Sequence, residues 1–104
     1  MYSEDLREQI KRDRKTVALA QAAYRLQQTA DFREVITSNL LQVRVNALVS
    51  QLASWVKDSP EYVAAVRELD AISYLSHYLV NLESEGAEAL ASLKEAQLLL
   101  DNEE

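Results

Sequence analysis

NLESEGAEALASLKEAQLLLD (residues 81–101) carries the only glycine of the chain, Gly86, between two runs of strong helix formers. If that glycine ends a helix, the chain turns back on itself; if one helix runs through it, the far end needs cover from elsewhere. A glycine inside a helix costs about 1 kcal/mol relative to alanine, and ESEG supplies a carboxyl-terminal stop signal. Against a stop stands the spacing. Leu69, Ile72, Leu75, Leu79 and Leu82 recur in steps of three and four, and the rhythm continues through Ala89, Leu93, Ala96 and Leu100. No good cap for a new helix follows Gly86. Continuation or a kink is therefore favoured over reversal.

The rest of the chain is equally poor in turn material. Its 104 residues include one glycine and one proline, and 48% are hydrophobic, a combination that a β-rich protein with its many turns does not match. An all-α fold follows, in one helical domain over residues 1–104. With no cysteine, neither a disulfide framework nor a thiolate metal site is available. The amino terminus is charged from Ser3 onward and lacks a signal peptide's apolar stretch. No segment approaches the roughly 18 apolar residues of a membrane span. These features predict a cytoplasmic protein without membrane contact.

Helix boundaries follow from capping chemistry. Ser3 suits the start of a first helix over about 4–29, with Leu6, Ile10, Val17 and Tyr24 on one narrow stripe that Asp13 and Ala20 weaken. Asp31 and Glu34 have the reciprocal spacing of a capping box, opening a second helix over about 32–57. Its early face carries Phe32, Ile36, Leu40, Val43 and Ala47. Its later face carries Leu41, Val45, Leu48, Leu52, Trp55 and Val56. At about 100° per residue the two sets lie more than a quarter-turn apart, which predicts a central, sandwiched helix. Ser59 and Pro60 then mark the start of a third, over about 60–85, antiparallel to the second. The architecture expected is an antiparallel bundle of three to four helices on this hairpin, with residues 87–101 as a fourth helix or an extension of the third.

Charge is uneven. The net charge is −6, but residues 1–30 hold Arg7, Lys11, Arg12, Arg14, Lys15 and Arg25 against four acids, whereas residues 61–104 hold Arg67 and Lys94 against ten. The basic helix invites a nucleic-acid reading. Interleaved Glu4, Glu8 and Asp13 oppose it, being placed to pair within the helix, so no direct nucleic-acid binding is expected. A better match is an acidic surface, in the chain's own last third or in another copy. Glu83, Glu85, Glu88 and Glu95, with Glu61, Glu68 and Asp70, form that acidic face.

His77 is the only histidine, so two-histidine metal sites and di-iron helix motifs are ruled out as readings. Acid pairs such as Glu83 and Glu88 lack the enclosed pocket that acid–base chemistry needs. No catalytic residue, metal or cofactor is expected, and the protein reads as non-enzymatic. Tyr74 and Tyr78 share a face beside His77; partly buried packing is favoured for them over a recognition patch.

DFREVITSNLLQVRVNALVSQLASW, followed by SPEYVAAVRELDAISYLSHYLVNLESEGAEAL, resembles small all-helical proteins of tailed bacteriophages, in which a helical hairpin precedes a short carboxyl-terminal helix. The resemblance covers roughly residues 31–95. It implies a role in virion assembly or host interaction, in host cytoplasm or virion.

Taken with the periodicity, this predicts a protein that acts by protein–protein contact, with itself or another protein. In an up-down-up bundle residues 87–101 overhang the hairpin by about 20 Å. Leu90, Leu93, Ala96 and Leu100 are then the self-association surface, with Tyr74 and Tyr78 as a secondary patch. The competing class is a small acidic inhibitor that imitates nucleic-acid phosphates to bind a host nucleic-acid-binding protein.

Overall fold

The computed structural model describes residues 2–103, and the side chains of residues 3–102. Four α-helical segments run in order, α1 (Tyr2–Gln27), α2 (Ala30–Phe32), α3 (Val45–Leu52) and α4 (Pro60–Glu103). A π-helical segment, Arg33–Arg44, joins α2 to α3 without a break. No strand occurs among the described residues. The chain divides into two compact units: Met1–Arg25 with Val80–Glu104, and Leu26–Leu79. Helix α4 contributes to both.

Gly86 lies within α4 and shows no positive φ. The helix therefore continues, as the leucine rhythm favours, and residues 60–85 and 87–101 are one element. In the first unit α1 packs antiparallel on the end of α4. Leu6, Ile10 and Ala96 form a buried cluster with Leu93 and Leu100 packed against it, while Ala20 meets Gly86. A hydrogen bond from Gln9 Nε2 to Ser92 Oγ at 2.6 Å ties the two helices beside that seam. The overhang drawn for residues 87–101 is thus corrected: the chain's own first helix covers one side of it.

In the second unit the run 30–52 packs against the first part of α4. Leu48, Ala65 and Ile72 are its buried core, with Leu40, Leu41, Val45, Leu52, Trp55 and Leu69 around them. Leu40 and Leu41 come from opposite faces of the expected sandwiched helix, yet both reach this one cluster. The π segment explains it. Its i→i+5 bonding widens the turn and reduces the rotation per residue, so Leu40, Leu41 and Val45 converge. Val43 and Val56, expected inside, are 62% and 77% exposed. Phe32, Ile36, Leu40 and Ala47 of the early face are partly buried, but Leu40 joins the same core as the later face, so the helix is not sandwiched between two partners; α4 is the element with two packing partners.

Each unit holds two packed helical segments, and within neither is there a bundle of three or four helices. Two capping expectations and one helix boundary also change. Ser3 sits inside α1. The cap of α2 is Thr29, whose extended backbone and hydroxyl oxygen, accepting from Phe32 N–H at 3.2 Å, perform the role expected of Asp31. Asp31 instead lies in the first turn. At the other end, α3 stops at Leu52, five residues before the expected Lys57, because Ser54 and Trp55 turn back onto the Gln51 carbonyl and Asp58 takes a φ of 67°. Ser59 does cap α4, accepting from Tyr62 N–H at 3.3 Å, with Pro60 as its first residue.

Candidate interaction surfaces

The first unit is built on matched heptads. In α1 the inward positions are Leu6, Ile10, Asp13, Val17 and Ala20, with Tyr24 continuing the spacing at an exposed site; in α4 they are Leu82, Gly86, Ala89, Leu93, Ala96 and Leu100. Both step by four and three, the spacing of a coiled-coil seam. The meeting of Ala20 with Gly86 sets the register. One heptad along, Asp13 comes opposite Leu93. Small residues at Gly86, Ala89 and Ala96 let the backbones approach closely, and those three are buried.

A two-helix seam leaves two flanks. On one, Val17, Ala20, Tyr24, Gly86, Ala87 and Leu90 line a largely apolar groove that Gln21, Arg25 and Glu83 also border. Its floor is glycine and alanine, and its rims are Tyr24, 66% exposed, and Leu90, 41% exposed. Nearer the α1 amino end, Arg7, Lys11, Arg14 and Lys15 line a second groove with Leu100 and a single acid, Asp101. The basic helix does therefore meet the acidic last third of its own chain, but through the apolar seam. The cations stand to one side. A third groove is lined by Asp5, Gln9, Ser92, Glu95 and Leu99.

Of the residues expected to mediate self-association, Leu90 is open at the rim of the apolar groove. Ala96 is buried, and Leu93 and Leu100 pack against Leu6 and Ile10. These three form the intramolecular seam instead of a free line. Tyr74, His77 and Tyr78, in the second unit, all face outward. Their favoured packing role is not what the structure shows. Tyr74 is 74% exposed and projects a ring into solvent.

The acidic face is exposed at Glu83, Glu85, Glu88 and Glu95. Glu68 is engaged: Arg44 donates to both its oxygens at 2.8 Å, bridging the two helical segments of its unit. That pairing lowers the Glu68 carboxyl from its usual range, chiefly through the side-chain hydrogen bond from Arg44. In the sequence Asp13 reads as an interruption of the stripe and as an acid placed to pair within the helix. Its Oδ2 is shut off from water without a hydrogen-bond partner. Matching the α1 heptad to that of α4 would have exposed this position. Among the described residues no helix is long and apolar enough to cross a membrane. No protein-family model matches the chain, and neither does any curated protein or solved structure.

Proposed function

We propose that the protein is non-catalytic and works by protein–protein contact, self-associating through its helix faces in an assembly role of the kind the phage resemblance implies. The observation that supports this reading is the uncovered apolar groove between α1 and α4, with Tyr24 and Leu90 standing on its rims. Exposed aromatic and leucine side chains around a shallow floor of small residues suit the entry of another helix. A two-layer unit also gains stability when a further helical layer covers its open flank.

Sedimentation velocity across micromolar concentrations tests the reading directly. The expected result is a mass that rises with concentration for the full chain and falls on Leu90→Asp, with helical circular dichroism retained. Affinity capture from host and infected-cell extracts separates the competing class. Recovery of virion components supports assembly, whereas recovery of a polymerase or nuclease supports an acidic inhibitor.

A further inference from the structure

The basic and acidic grooves of the first unit lie on opposite flanks of one seam, at the same end of the hairpin. Lys11, Arg14 and Lys15 flank the column that contains Ile10 and Leu100. Asp5, Gln9, Ser92 and Glu95 flank the column that contains Leu6 and Ala96. In an antiparallel coiled coil, residues beside one column of each helix share a flank, and residues beside the other column share the opposite one. At this end the hairpin is therefore basic on one side and acidic on the other, with Arg12 one heptad along from Asp5.

Such a distribution decides how two copies meet. A two-fold contact centred on either charged groove pairs that groove with itself, setting Lys11 and Arg14 against the same cations of the second copy, or Asp5 and Glu95 against the same acids. Both arrangements repel. A basic flank against an acidic flank is attractive, and it is heterologous: one copy keeps its acidic groove unused and the other its basic groove, so the contact repeats. Apolar surface accompanies the charge, because Leu99, 40% exposed, stands in the acidic groove and Leu100 lines the basic one.

We propose that the basic groove of one copy receives the Asp5–Glu95–Leu99 flank of a second copy, and that the repeated contact builds a ring or an open filament. The inference rests on the self-association reading above and extends its contact from the groove of Val17, Tyr24 and Gly86 along the same column to Ile10 and Leu100. Charge sets the polarity and partner choice, while the apolar residues supply the burial.

Three full-length variants test it by sedimentation velocity in low salt, each checked for helicity: Lys11→Glu with Arg14→Glu, Asp5→Lys with Glu95→Lys, and all four together. The wild type is expected to form species heavier than a dimer that dissociate as salt rises. Each two-site variant is expected to fall to the monomer mass of 11.8 kDa. The four-site chain, with both flanks inverted, is expected to assemble again, and so is an equimolar mixture of the two two-site variants. If either two-site variant assembles as the wild type does, or neither the mixture nor the four-site chain recovers, the heterologous contact is overturned. Growth that stops at a dimer overturns the repeat but leaves self-association intact. A wild type that stays monomeric removes both readings. Retardation of a nucleic-acid duplex, lost in Lys11→Glu with Arg14→Glu while assembly is unchanged, reassigns the basic groove to nucleic acid.

Discussion

Gly86 on α4 lies directly against Ala20 on α1, in the space that a side chain at position 86 would fill. Gly86→Ala therefore sets two effects in opposition. Helix propensity improves by about 1 kcal/mol, but the new methyl overlaps the Ala20 Cβ, and overpacking of this kind costs about 1–3 kcal/mol. The steric term is expected to win because both partners sit on helix backbones, not on flexible side-chain ends. Chemical denaturation should show a lowered midpoint for Gly86→Ala. Adding Ala20→Gly restores the space, so the double variant should recover more than the sum of the single changes allows.

Leu48 is the most deeply buried side chain of the second unit, at 2% exposure. Leu48→Ala should cost about 2–5 kcal/mol by urea denaturation. On the opposite side of the same run, Val43 and Val49 are 62% and 54% exposed. Val43→Ser and Val49→Ser should each change stability by less than about 0.5 kcal/mol. A loss comparable to that of Leu48→Ala at either valine would restore a second buried face to this helix.

The contrast between these positions shows where the sequence is legible. Ser59–Pro60 is readable because a cap and a fixed φ act within one turn, and continuation through Gly86 is readable because its evidence is a period summed over many residues. The partner of residues 87–101 is not readable from period alone. Leu93 and Leu100 look the same whether a second copy or α1 covers them; only the paired small residues Ala20 and Gly86 specify α1. Faces assigned at about 100° per residue fail for Leu40 and Leu41, because the π segment winds differently. The basic and acidic flanks became visible once the seam fixed which side of α1 each charge occupies.

The bidentate Arg44–Glu68 pair predicts a small acid-sensitive component of stability. The Glu68 carboxyl is lowered in the folded chain, first by the hydrogen bond from Arg44. A depressed carboxyl contributes stability that is present above its unfolded value of about 4.3 and lost as pH falls through the folded value. Both side chains are well exposed, at 45% and 39%, so solvent screens the pair and the effect is modest. In urea denaturation series between about pH 2 and 7, Glu68→Gln should flatten the acid limb. An unchanged acid limb in Glu68→Gln would assign the whole acid response to other carboxyls.

Asp13 occupies an inward heptad position of α1, between Ile10 and Val17, opposite Leu93 by the register that Ala20 and Gly86 set. Its Oδ2 is shut off from solvent and accepts no hydrogen bond from the chain. A shielded carboxylate oxygen without a partner costs about 1–3 kcal/mol, and an apolar side chain at the same place would extend the Leu6–Ile10 packing toward Val17. Asp13→Leu should therefore raise the denaturation midpoint, whereas most changes at a helix seam lower it. Asp13→Asn, which removes the charge and keeps the shape, should gain less than Asp13→Leu. A polar group in a seam also restricts the registers available to its helix, since sliding α1 by one heptad would bring Asp13 against Gly86 or Leu100. Stabilisation by leucine is accordingly expected to come with looser register, visible as extra cross-peaks for Gly86 in an amide NMR spectrum. A lower midpoint in Asp13→Leu would mean that the carboxylate finds a stabilising partner in solution.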